Sequence, residues 1–128
     1  MDEDRLSPAM GRLIDAAKMA ASQAAPFSSR AEGVALLTAN GAVHSGHGGS
    51  PAPVFRCAVD SALASLRRAG GGMVIAAAVA GASESVESMF PCADCSRSLA
   101  ELDPGMTVVV KKLGRWVALR ASELARPA

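Results

Sequence analysis

The sequence predicts an α/β protein, a mixed β-sheet with helices on both of its faces. Three observations carry that expectation. Segments with apolar residues at helical spacing alternate with short strand-forming runs, and such alternation places helices over a sheet. The most apolar stretch, GMVIAAAVAG at residues 72–81, falls well short of the about 20 residues a membrane-spanning helix needs, so it reads as a buried strand. Half of the 128 residues are hydrophobic but only 3% are aromatic, with three Phe, one Trp and no Tyr. The core must therefore be made of Ala, Val, Leu, Ile and Met, side chains that let smooth helices pack closely on a sheet.

The elements follow in order. Ser7-Pro8 is a helix start, an N-cap hydroxyl followed by a proline at the first helical position. Met10, Leu13, Ile14, Ala17, Ala20, Ala21 and Ala24 then form one apolar stripe that ends at Pro26. GVALLT, residues 33–38, is a strand, and Asn40-Gly41 turns it into a short partner at residues 42–45. GHGGSPAP, residues 46–53, consists of breakers and is expected to be loop. A second helix runs from about Cys57 to Ala69, with Arg67 and Arg68 in its last turn and three glycines to end it. Residues 73–80 are the buried strand, and Cys92 to Leu102 is a helix stopped by Asp103-Pro104-Gly105. Two strands, 106–111 and 115–119, flank Lys112-Leu113-Gly114, with Trp116 packing on the sheet, and Ser122 caps a final short helix. There is no internal repeat and no low-complexity segment, and the length suits one domain over residues 1–128.

Thirteen basic and twelve acidic residues leave a net charge of +1. The basic residues are scattered, with Arg67-Arg68 and Lys111-Lys112 the longest pairs, so there is no electrostatic footprint for nucleic acid. The opening MDEDR lacks the pattern of a secretory signal, and three cysteines make an odd count. A cytoplasmic protein with reduced thiols is expected, with no membrane and no disulfide framework.

Those thiols are the chemical feature of the chain. Cys92 and Cys95 form a C-x-x-C at the start of one helix, and Cys57 starts another. A helix N-terminus carries partial positive charge and favours a thiolate. Three protein ligands on zinc leave a fourth tetrahedral position for water, the pattern of a catalytic rather than a structural site. A redox C-x-x-C and three buried free cysteines are the other readings of the same residues.

AAPFSSRAEGVALLTANG at residues 24–41, CAVD at 57–60 and PCADCSR at 91–97 together resemble the small three-cysteine zinc-dependent cytidine deaminases, including blasticidin-type deaminases. In that family the corresponding stretches read A-x-x-P-Y-S-x-F-x-V-G-A-A-L-L-T-x-D-G, C-A-E-R and P-C-G-A-C-R-Q, and the likeness runs from LIDAAKMAA to SELARP. The resemblance implies a cytidine deaminase-like three-layer α/β/α fold with a five-stranded mixed sheet. It also implies Zn2+ on Cys57, Cys92 and Cys95, a hydrolytic deamination by zinc-activated water, and pockets shared between subunits of a homotetramer or homodimer.

The departures from the family pattern are specific. The glutamate of C-A-E, which shuttles protons in the family, falls at Val59, and the arginine after it falls at Asp60. Ser96 stands where a second basic residue is usual, although Arg97 and Arg56 are close by. The family's ribose-holding asparagine and glutamate have no counterpart in GHGGSPAPV, residues 46–54, and its C-terminal aromatic has none in ELARPA. Phe27 matches the P-Y position and is a pocket candidate, while the pocket phenylalanine becomes Arg30 and the valine after it Glu32.

Arg30 and Glu32 are two apart and share a strand face, so Glu32 is the candidate replacement base, with Phe27, Arg30 and Val59 as substrate-pocket residues. A solvated ion pair at a strand edge is the plainer reading of Arg30 and Glu32. His44 and His47 could be proton carriers or a fourth ligand, but fall outside the matched motifs and read as loop residues; Glu84 and Glu87 read as solubilising. Two functions follow. One is a divergent hydrolase acting on an amino-substituted heterocycle or nucleoside-like substrate. The other is an inactive homologue that keeps zinc as a fold clamp and binds a ligand or partner.

Overall fold

The computed structural model describes residues 8–24, 32–47, 57–81 and 89–124. Helix α1 (Pro8–Ala24) is followed by strands β1 (Glu32–Thr38) and β2 (Val43–His47), then helix α2 (Ala58–Arg68) and strand β3 (Val74–Gly81). Helix α3 (Ala93–Leu102), strands β4 (Thr107–Lys112) and β5 (Arg115–Arg120) and the short helix α4 (Ala121–Leu124) complete the order. The sheet runs β2-β1-β3-β4-β5, antiparallel throughout except for the parallel β3–β4 pair. A five-stranded mixed sheet with helices is therefore observed as expected.

The alternation of strand side chains divides the interior into two layers. Ala35 and Leu37 of β1, Ala76, Ala78 and Ala80 of β3, Val109 and Trp116 pack with Leu13, Ile14 and Ala17 of α1. Val34, Leu36, Ala77, Val79, Val108 and Val110 point the other way, onto Ala58, Val59 and Ala62 of α2 and Cys95 and Leu99 of α3. Aliphatic side chains and alanines fill both layers, as the aromatic-poor composition requires. Trp116 is nearly buried, with Lys18 Nζ 5.5 Å and Lys111 Nζ 5.8 Å from its ring centroid.

Two glycines set the spacing of the layers. A Cβ on Gly33 would lie 2.1 Å from the Ala17 carbonyl oxygen of α1, and one on Gly46 would lie 2.3 Å from the Ala62 nitrogen of α2. Gly46 corrects the sequence reading of residues 46–53 as loop: β2 is displaced from 42–45 and includes Gly46 and His47. Glycine there is a site of close helix approach, not a chain break. The final helix also differs, beginning at Ala121 with Ser122 inside it. The side chain that caps it is Glu123, whose Oε1 accepts the Arg120 N–H at 2.9 Å.

The connections decide where the helices begin. Residues 69–73 take the chain from the end of α2 into β3, and residues 103–106 take it from the end of α3 into parallel β4. Both helices therefore run back along the strands that follow them, and both N-termini lie at the carboxyl edge of β3 and β4. In open α/β sheets that edge is where ligands bind.

Candidate metal centre

Cys57 and Cys92 are the N-caps of α2 and α3, each in an extended conformation (ψ 152° and 169°). Their carbonyls begin the helical ladders, accepting the Ser61 N–H at 3.1 Å and the Ser96 N–H at 2.8 Å. An extended cap residue swings its side chain off the helix end, so the two chain entries aim their thiols at one another. Cys95 lies one turn into α3 and is fully buried. The three sulfurs lie within 4.8 Å of one another, and they are the cluster of potential metal ligands among the described residues.

Cys57 is the hub, with Sγ 2.7 Å from that of Cys95 and 3.7 Å from that of Cys92. Two ligands of a tetrahedral ion with Zn–S bonds of about 2.3 Å stand about 3.8 Å apart. The 3.7 Å contact matches that spacing; the 2.7 Å contact is shorter than it, so Cys57 and Cys95 have to move apart to share an ion. Backbone donors surround the cluster. The Cys95 N–H faces Cys92 Sγ at 3.4 Å, and the Val59 N–H of the first turn of α2 donates to Cys95 Sγ. The buried Ser96 hydroxyl donates to the Pro91 carbonyl at 3.3 Å and ties down the chain just before Cys92.

Without a cation the surroundings disfavour the thiolates of Cys57 and Cys95. Burial pushes the Cys57 thiol up to about 11, partly offset by its contact with Cys95 and reinforced by Cys92 and the charge of Asp60. Cys95 is also pushed up, first by burial and then by its hydrogen bond with Cys57; the Val59 N–H opposes this and the Glu32 carboxylate adds to it. A divalent cation inverts that balance, because it holds coordinating thiols deprotonated. The donor set fits a soft or borderline ion such as zinc.

The remaining sequence candidates separate clearly. Glu32 opens β1 opposite Gly81, on the same side of the sheet as Val34 and Leu36. That is the side carrying the cysteines; its Oε1 is buried, and its charge is felt at Cys95. Val59 has no exposed surface and packs in the layer formed by Leu36, Val79 and Leu99, the same layer that holds Cys95, and its N–H donates to the Cys95 sulfur. Asp60 is exposed in the first turn of α2. Phe27, Arg30, Glu84 and Glu87 lie outside the described residues. Both histidines are in β2 and not in loop: His44 pairs with Leu36 and faces α2, whereas His47 pairs with Gly33 and faces α1. Neither belongs to the sulfur cluster. Sequence reasoning missed the Val59 N–H donor and the Ser96 hydroxyl, because backbone donors and a buried serine carry no motif.

No protein-family model matches the chain, and the curated proteins include no significant match. Among solved structures, cytidine deaminase from Burkholderia pseudomallei is 32% identical, with 93% of this chain and 96% of that one covered and a TM-score of 0.75. Cytidine deaminase from Mycobacterium tuberculosis is 27% identical over 93% and 95% of the two chains, with a TM-score of 0.72. The enzyme from Mycobacterium leprae, 24% identical over 92% and 98%, has the same fold with a TM-score of 0.71. The five-stranded mixed sheet, the thiols gathered at two helix starts and the nearly end-to-end likeness at 32% identity lead to one assignment: this chain belongs to the cytidine deaminase family.

Proposed function

We propose that the chain is a zinc-dependent hydrolase that removes the amino group of a heterocycle or nucleoside-like substrate, with Glu32 carrying the proton in place of the family's glutamate. The observation that supports this is the convergence of three thiols within 4.8 Å, with the Glu32 carboxylate on the same side of the sheet. Zinc held by Cys57, Cys92 and Cys95 would supply Lewis-acid activation of water. Glu32 would accept a proton at its carboxylate and return it to the leaving amino nitrogen, the double duty that Val59 cannot perform. Val59 and Asp60 in the positions of the family's glutamate and arginine make this a divergent member. Phe27, Arg30 and Val59 are the proposed pocket residues. A homotetramer or homodimer in the cytoplasm is the proposed assembly; no helix among the described residues is long and apolar enough to cross a membrane.

The second reading, zinc as a structural clamp in an inactive homologue, is favoured by one observation: Val59 is sealed in the core. Binding an ion across the starts of α2 and α3 contributes to folding whether or not a reaction follows. Ammonia release from cytidine, deoxycytidine, blasticidin and aminopurines, before and after chelation, decides between the two. Chelator-sensitive release supports the hydrolase. Bound zinc with no release from any of these substrates supports the clamp.

A further inference from the structure

We propose that peroxide closes a disulfide between Cys57 and Cys92, joining the start of α2 to the start of α3 and removing two of the three thiols from the metal centre. The pairing is an inference about this chain's own cysteines; only its consequence for zinc rests on the metal reading above.

The redox alternative that the sequence offers is a different pair, the couple within C-x-x-C. The geometry argues against that pair. Cys92 Sγ meets Cys95 through the Cys95 backbone N–H at 3.4 Å, while the Cys95 sulfur is turned to Cys57 at 2.7 Å and receives the Val59 N–H. Exposure sets the order of events. Cys92 is exposed, Cys57 partly buried and Cys95 buried, so an oxidant arriving from solvent meets the Cys92 sulfur first. Cys57 is then within contact, its sulfur 3.7 Å away.

The chemistry balances with hydrogen peroxide as the sole oxidant. The Cys92 sulfur attacks one peroxide oxygen, the O–O bond breaks, and a sulfenic acid and one water result. The Cys57 sulfur then attacks the Cys92 sulfur, the S–OH bond breaks, and the hydroxyl leaves with the Cys57 proton as a second water. Two thiols lose two electrons and two protons, and one peroxide becomes two waters. Cys95 is left as a buried thiol with no second sulfur free to share an ion.

The test uses the full chain as purified, with its zinc content measured first. Hydrogen peroxide is added stepwise, free thiols are blocked, and the products are mapped by peptide mass spectrometry while a chromogenic chelator reads released zinc. The expected result is a Cys57–Cys92 disulfide, Cys95 as the remaining blockable thiol, and one zinc released per disulfide, all reversed by dithiothreitol. Cys57→Ser should instead let Cys92 proceed to the sulfinic acid. A main product linking Cys92 to Cys95 or Cys57 to Cys95, or no disulfide at all, overturns the proposal. The zinc measured at the outset separates the claims: protein purified without zinc that still forms Cys57–Cys92 counts against the metal reading and supports the pairing.

Discussion

Replacing Glu32 by glutamine keeps the size of the side chain and removes only its capacity to take a proton. If Glu32 carries protons in both halves of a hydrolysis, the loss is that of a positioned acid–base group, about 10²- to 10⁴-fold in rate. At about 1.4 kcal/mol per decade this is about 3 to 5 kcal/mol of transition-state stabilisation. The structure also gives the sign of the effect on the metal. The Glu32 charge raises the Cys95 thiol, which opposes formation of the thiolate a metal needs. Its removal should therefore leave zinc binding unchanged or make it tighter. Glu32→Gln should retain one zinc per chain by elemental analysis while chelator-sensitive ammonia release falls by two to four decades. Full activity in that variant refutes Glu32 as the base. Loss of zinc together with activity refutes the electrostatic argument and makes the residue structural.

Other outcomes follow from the same packing. Val59→Glu forces a carboxylate into a position with no exposed surface; urea unfolding should show a loss of about 2 to 5 kcal/mol, and an unchanged midpoint would mean the side chain faces the site. Gly46→Val places its Cβ 2.3 Å from the backbone of α2 and should cost about 3 kcal/mol or more, whereas Gly11→Ala, with nothing within 4 Å, should stabilise α1 by about 0.5 to 1 kcal/mol. Leu113 is exposed at φ 50° before Gly114 at φ 82°, so Leu113→Asn should relieve strain and raise the melting temperature by a few degrees.

Stability should depend on pH in the metal-free protein. Cys57 rises from 9.0 to about 11 on folding, so its contribution is complete below about pH 9 and is lost as pH climbs toward 11. Zinc-loaded protein should show no such decline from this thiol, because its cysteines are already deprotonated on the metal. Denaturant melts at stepped pH, with and without chelator, check this.

Much of the architecture was legible locally. The apolar stripe of α1, the Asn40-Gly41 turn and the alanine-rich run of β3 each state their conformation within a few residues, because periodicity and turn chemistry are local properties. The end of β2 was not legible. Gly46 looks like a breaker in the sequence, and its reason for being there is α2, which begins about a dozen residues later and lies against it. Ser122 was misplaced as a cap because a hydroxyl near a helix start is a common signal. Glu123 supplies the oxygen because the backbone after β5 turns helical two residues earlier than a Ser122 cap requires.

For the metal centre, the sequence by itself determined the ligand chemistry: which residues bear thiols, and that each lies at a helix start. Those facts are matters of residue type and spacing. Only the tertiary structure decided that Cys57 meets Cys92 and Cys95 across 35 and 38 residues of chain, that Glu32 shares their side of the sheet, and that His47 does not. The physical reason is that strand order and helix direction are set by the burial of two apolar layers at once. No single segment carries that information.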